Sequence, residues 1–479
     1  MTKLGKQQTS KPYLRVLIFG FVALVAITIL VVEPFDLPNG LSTSAALILL
    51  VVGALATGLI SEQITILIFF LLAMLLAIAS PQVVFSGFYS GAFWLVFGGL
   101  IIGAAVETTG LGDRIARTLI EYISGSYKWV VAAIVLINCI FIFLMPSTLS
   151  RVVLLIPVVT SLSEQMGYSR GSKPANGLVM ATVLTAYLCS TSVLPANVPN
   201  NVLMGASETF LDVRIRYFEY FLLHFPILGL LKAIIIWACV VYLFKPSNLG
   251  TKKPASNVRV LEKTKTKLLQ DEKRILILLM GALMLWVTDS VHGITPAWVS
   301  LAFGILCLFP KLGVVSPAEF REKVPMGPLL YVAGIIGIGA VVADSGLGDY
   351  LSKVMIEASN LSPEKPIEGF IVLSSVAMFL SFFSTMPGVP AIMIPLAPDL
   401  QAASGLPLKT VVMTQVVGFS SVWLPYQVPP IIVGMQLAGV PMGVGVKVTS
   451  LIALLSIILL TPLLVLWWQF LGYLPQGGI

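Results

Sequence analysis

Pro195-Ala196-Asn197-Val198-Pro199-Asn200-Asn201 lies inside an apolar run over 177–206, and Pro425-Tyr426-Gln427-Val428-Pro429-Pro430 lies inside a second run over 406–436. Proline has no amide to donate and its ring clashes with the preceding turn, so a helix through either stretch must break. In lipid, the backbone groups freed by a break are tolerated only where protein or a water-filled cavity surrounds them. Two broken runs of this kind decide the fold class: an all-α polytopic membrane protein built around an interior site.

Composition agrees. The chain of 479 residues is 57% hydrophobic and 11% charged, with a mean hydropathy of +0.97, far from the soluble globular average. Apolar stretches of roughly 20 residues, enough to span a bilayer, recur from end to end with charges gathered between them. That excludes a soluble enzyme on a membrane anchor, and the lack of short alternating strands excludes an outer-membrane barrel. The first run, 14–32, follows Lys3, Lys6, Lys11 and Arg15 without a cleavage site, and is read as a retained helix. Cys139, Cys189, Cys239 and Cys307 lie in apolar segments without metal-ligand spacing and read as core residues. The net charge of +7 reflects basic loops, as the positive-inside rule expects, and no nucleic-acid partner is implied.

Loop charges orient the chain in an inner or plasma membrane. The long polar linker over 245–273 carries Lys245, Lys252, Lys253, Arg259, Lys263, Lys265, Lys267 and Lys273, with Arg274 directly after it, and should be cytoplasmic along with the basic N-terminus. An even number of crossings must separate them, and the runs near 14–32, 42–60, 63–79, 92–108, 177–206 and 218–244 supply it. Runs near 274–290, 295–310, 328–344, 406–436 and 445–470 then place the C-terminus outside, for about eleven crossings in all. Residues 128–168 and 366–402 are apolar but interrupted by Met145-Pro146-Ser147-Thr148-Leu149-Ser150-Arg151 and Ser384-Thr385-Met386-Pro387-Gly388-Val389-Pro390. Each could be two further crossings, which parity equally allows, but they are predicted as two re-entrant hairpins, since a polar, proline-broken tip at membrane depth needs protein or water around it.

The halves resemble each other at a separation of about 230 to 240 positions. Gly110-Leu111-Gly112-Asp113 matches Gly346-Leu347-Gly348-Asp349, Ser147-Thr148 with Pro157 matches Ser384-Thr385 with Pro395, and the two proline breaks match each other. After an N-terminal tail and first helix (1–40), the first repeat spans 41–244 with its hairpin near 128–168, and the second spans 274–479 with its hairpin near 366–402. Each repeat holds an odd number of crossings, so the second is inverted, and inverted repeats give alternating access two states of similar energy. Asp113 and Asp349 read as helix-start acids.

Carbonyls freed at a break can coordinate a cation, and amides at a half-helix N-terminus suit an anion. The candidate substrate-binding residues are therefore Ser147, Thr148, Ser150, Arg151, Asn200, Asn201, Ser384, Thr385, Ser420, Ser421 and Pro429. Arg151 stands out as an ionisable group within an apolar segment, able to grip an anion bidentately, to pair with an acid or to snorkel. Glu62 and Glu107 are relay candidates, or ordinary boundary charges. An enzyme lacks parts: His224 and His292 form no HExxH arrangement, and GxSxG and Walker A patterns are missing.

Phe97-Gly98-Gly99 through Glu107-Thr108-Thr109-Gly110-Leu111, the two tips and the two breaks together resemble the divalent anion:sodium symporter (solute carrier 13) family of the ion transporter superfamily, over nearly the whole chain. In that family each tip carries Ser-Asn-Thr ten residues before a proline; here those positions read Ser147-Thr148-Leu149 and Thr385-Met386-Pro387, without the asparagine. Its Thr-Pro-Pro-Asn corresponds to Val198-Pro199-Asn200-Asn201 and Val428-Pro429-Pro430-Ile431. The resemblance implies a homodimeric, elevator-type secondary transporter of a small anion of the dicarboxylate, sulfate or sulfonate class. It needs no cofactor beyond a coupling ion, sodium or proton, with Ser147, Thr148, Asn197, Thr385 and Pro425 as candidate sodium ligands. A cation/proton antiporter or metalloid exporter of the superfamily, and a non-transporting sensor or scaffold, are the alternatives.

Overall fold

The computed structural model describes residues 12–32, 41–112, 114–115, 126–246, 269–359 and 361–475. Asp113, the basic N-terminal tail and linker residues 247–268 lie outside the described residues. Every regular element among the described residues is helical.

The first half runs α1 (Pro12–Val32), α2 (Leu41–Thr57), α3 (Glu62–Leu75), α4 (Gly91–Thr109), α5 (Tyr127–Leu144), α6 (Thr148–Gln165), α7 (Lys173–Leu188), α8 (Val198–Leu211) and α9 (Tyr217–Leu243). The second runs α10 (Gln270–Val287), α11 (Pro296–Leu308), α12 (Gly327–Asp344), α13 (Leu347–Ser359), α14 (Pro366–Leu380), α15 (Gly388–Met393), α16 (Ala397–Ser404), α17 (Leu408–Phe419), α18 (Pro429–Ala438) and α19 (Met442–Phe470). Serines start many of them: Ser61, Ser90 and Ser172 each accept a hydrogen bond from the amide three residues on, at 3.3 to 3.4 Å. Among the described helices α4, α5, α9, α12 and α19 are long and apolar enough to cross a membrane by length and composition, and several others are shorter and apolar. This is a multi-pass membrane protein.

Order repeats between the halves. Both proline-broken runs are helix, break, helix (α7 and α8; α17 and α18), and both expected hairpins are helix, polar turn, helix (α5 and α6; α14 and α15). Pro157 sits inside a continuous α6, whereas Pro395 falls between α15 and α16. Even an irregularity recurs, since α9 and α19 each contain a π-helical stretch, Phe225–Leu231 and Ser456–Leu460. Asp349 occupies the first turn of α13, following Gly346 at φ +76°.

Small residues bring the helices together. A Cβ on Gly98 of α4 would come within 2.3 Å of the Ser300 backbone of α11, and one on Gly304 would lie 3.0 Å from Gly98 Cα. Gly434 of α18 faces Val183 of α7 and Val152 of α6, so the second broken run is seated on the tip and break of the first half. Tyr187 of α7 reinforces this by donating to the Phe419 carbonyl at 3.3 Å. The four cysteines are free thiols, three of them buried.

Candidate functional site

The first tip forms because Pro146 stops α5 and Ser147 restarts the chain as α6, its Oγ accepting from the Ser150 amide at 3.2 Å. Arg151, one turn into α6, is wholly buried. Its Nη1 donates to the Met145 carbonyl, and its Nη2 donates to Thr148 Oγ1 at 3.0 Å, Ala186 O at 2.8 Å and Ala196 O at 3.1 Å. Those four oxygens come from the tip, the end of α7 and the break, so one guanidinium fastens three segments. A planar fork of donors suits such a task better than a point charge.

After α7, two short turns at Ser190–Ser192 and Leu194–Ala196 carry the chain to α8, which Asn197 caps by accepting from the Asn200 amide at 3.1 Å. Asn197 Nδ2 donates to Ser190 Oγ at 3.2 Å, and Asn200 Nδ2 donates to Ser190 O at 3.1 Å and Val193 O at 2.8 Å. Asn200 thereby satisfies carbonyls that the break set free. Asn200 and its neighbour Asn201 each keep a buried Oδ1 without a partner.

Gln427 does the corresponding work in the second half. Its Oε1 accepts from the amides of Trp423 and Leu424, both at 2.8 Å, while Nε2 donates to Ser381 O at 3.0 Å and Ser381 Oγ at 2.8 Å. Break and tip are again joined through a side chain. Tyr331 of α12 meets the same tip, its hydroxyl 2.6 Å from Thr385 Oγ1.

Between these parts lies a cavity of about 390 Å³, roomy enough for a small organic anion. Ser147, Asn197 and Val428, the residues that open α6, α8 and α18, all line it, so three positive helix ends converge there. They are not equivalent: Pro429 and Pro430 remove two amides from the first turn of α18, which biases donor strength to the first half. Opposite stand Glu62 of α3, Gly99 of α4 and Tyr331 of α12.

Of the residues singled out in the sequence, Ser147, Thr148, Ser150, Asn197, Asn201, Thr385 and Pro429 line this cavity. Arg151 and Asn200 sit behind its wall, turned to backbone carbonyls, and Ser384 and Pro425 are buried outside the lining. Ser420 and Ser421 border a different, smaller cavity beside Lys232. Gln427, Tyr187 and Tyr331 were not singled out, although each is a polar or aromatic group inside an apolar run. Among the described residues no three His, Cys, Asp or Glu side chains form a metal centre, so a sodium ion would depend on hydroxyls, amides and carbonyls alone.

Comparison with known proteins gives this architecture its family. The model of the sodium:sulfate symporter transmembrane region matches residues 15–474. A protein of Cupriavidus necator named only as a membrane protein is 22% identical over 424 residues, covering 84% of this chain and 82% of that one. The L-tartrate/succinate antiporter of Escherichia coli K12 is 24% identical over 357 residues, 72% of each chain. Among solved structures, the YdaH transporter of Alcanivorax borkumensis covers 90% of this chain and 99% of its own at a TM-score of 0.50 and 14% identity, a likeness of fold. With a matched transmembrane region from residue 15 to residue 474, the chain belongs to the sodium:sulfate symporter family, the divalent anion:sodium symporters that its tips and breaks resemble, and is a transporter, not an enzyme.

Proposed function

We propose that the chain exchanges small dicarboxylate-class anions across the membrane without a coupling sodium ion. The anion sits in the cavity among Ser147, Thr148, Asn201 and Thr385, drawn by the ends of α6 and α8. The observation that carries the reading is Arg151: the Met145, Ala186 and Ala196 carbonyls and the Thr148 hydroxyl are the oxygens a cation would use at the first break, and all four accept from its guanidinium. At the second break Ser381 O and Oγ accept from Gln427 in the same manner. These oxygens are already engaged by side-chain donors, which speaks against a sodium ion held by them. The antiporter names of the relatives favour exchange, and tartrate or succinate sets the substrate size.

The same reading takes α5–α6 and α14–α15 as re-entrant hairpins of an inverted repeat, with the N-terminus cytoplasmic and the C-terminus outside. Hairpins and broken helices move as one body against α3, α4, α11 and α12 in a homodimer. Proteoliposomes preloaded with succinate and given labelled succinate, tartrate or sulfate in sodium, potassium or choline medium test it. Internal anion should accelerate uptake equally in all three media. Uptake that requires sodium and ignores internal anion would sink the proposal.

Glu62 favours a second reading, proton-coupled uptake, because it puts a carboxyl in the wall of an anion cavity. A pH gradient alone should then drive uptake, and Glu62→Gln should abolish that drive; indifference of the wild type to the gradient removes this reading.

A further inference from the structure

Apart from the transport cavity, a second cavity of about 70 Å³ lies among α9, α14, α17 and α19, and Lys232 lines it. The lysine is 1% exposed, and Nζ donates to Ser420 O at 2.9 Å and Ser420 Oγ at 3.0 Å. Those are two acceptors for three protons. Among the described residues Lys232 takes part in no ion pair. A buried ammonium of this kind is costly until something of opposite charge accompanies it. Ser374 and Ser456, also in the wall, are buried with hydroxyls that have no partner, whereas a helical serine ordinarily bonds the carbonyl one turn back. Hydrogen-bond donors are left over here.

Backbone geometry marks the same place. Leu228, within the π-helical stretch that ends just before Lys232, and Ser456, which opens the other one, both border the cavity. Such stretches are rare and gather at functional sites, and these two bracket one cavity from corresponding positions in the two halves.

We propose that this cavity binds a small inorganic anion of halide size, held by the Lys232 ammonium and the Ser374 and Ser456 hydroxyls. It is separate from the transported anion and does not depend on the exchange reading. The volume admits a halide or a few waters and is several times smaller than that of the larger cavity. Water fills space but does not neutralise a charge, which is why the anion is favoured.

Purified full-length protein melted in sodium chloride, sodium bromide and sodium gluconate at equal ionic strength tests this. Either halide should raise the melting temperature saturably, by about 2 °C at tenfold over its dissociation constant. Lys232→Met should lose the rise, and Ser374→Ala and Ser456→Ala should weaken it; the serine variants decide if the lysine variant fails to fold. Asn201→Ala, in the other cavity, should keep it. Identical melting of the wild type in chloride and gluconate means water only and overturns the proposal. A halide effect lost in Asn201→Ala but intact in both serine variants overturns it as well, by assigning the halide to the transport cavity.

Discussion

The Tyr331 hydroxyl lies 2.6 Å from Thr385 Oγ1, joining α12 to the second tip across the wall of the larger cavity. If the tips move relative to α12 during transport, this bond exists in one conformation and is broken in the other. Tyr331→Phe removes an interaction worth about 1 kcal/mol, which biases the two conformations by about fivefold. Exchange rates and the accessibility of cysteines introduced in the cavity should change by that factor while the melting temperature hardly moves. A stability loss without any change in accessibility would make the bond merely structural.

Arg151 should tolerate no substitute. Alanine leaves three carbonyls and a hydroxyl without their donor in a buried site, a loss of about 3–5 kcal/mol. Lysine keeps the charge but cannot reach three segments at once, so it should recover only part of the stability. The telling measurement is melting in sodium against choline: vacating the oxygens should make Arg151→Ala newly responsive to sodium. Equal melting of the variant in both salts would show that these oxygens do not form a cation seat.

Adjacent asparagines should behave oppositely. Asn200→Ala frees the Ser190 and Val193 carbonyls and should cost about 1–3 kcal/mol of stability. Asn201→Ala removes a group facing the cavity and should raise KM about tenfold with little loss of stability. Thermal melting alongside initial exchange rates separates the two, and matched behaviour of the pair would contradict the assignment.

Gly98→Ala should destabilise the crossing of α4 and α11 by about 1–3 kcal/mol, because its methyl would meet Ser300 backbone atoms that cannot rotate away. Gly103→Ala on the same helix, where nothing lies within 4 Å of the added carbon, is the neutral control. Chemical denaturation of the two variants should differ by the full amount.

Clustered prolines made much of the fold legible, since helices are interrupted at both proline breaks and around Pro146 and Pro387, although Pro157 stays inside α6. Side-chain direction was another matter. Arg151 read as a charge near a tip, but its acceptors at 186 and 196 lie 35 and 45 positions away, and only tertiary packing reveals that it faces them and not the cavity. Asn200 and Asn201 differ by a rotation of about 100° around α8, enough to send one to the break and the other to the cavity. Ser420 and Ser421 read as substrate-binding candidates, yet they lie at the end of α17 beside Lys232 and border the smaller cavity. That lysine was legible in principle, as a lone basic residue inside the apolar run over 218–244.

A counter-ion that is part of the chain cannot be left behind. Bonded to the Ala186 and Ala196 carbonyls, Arg151 would travel with the moving body proposed above, whereas a dissolved cation would come and go with its cargo. In an exchanger built this way the vacant carrier holds a buried positive charge with no anion opposite it, and moving one such charge across a membrane potential costs about 2.3 kcal/mol per 100 mV. With a dianion bound the same body would carry a net single negative charge, so the potential drives empty and loaded carriers in opposite directions. On the exchange proposed above, such a carrier would equilibrate ratios of anions between two compartments instead of filling one of them, with its direction set by whichever anion is in excess on either side.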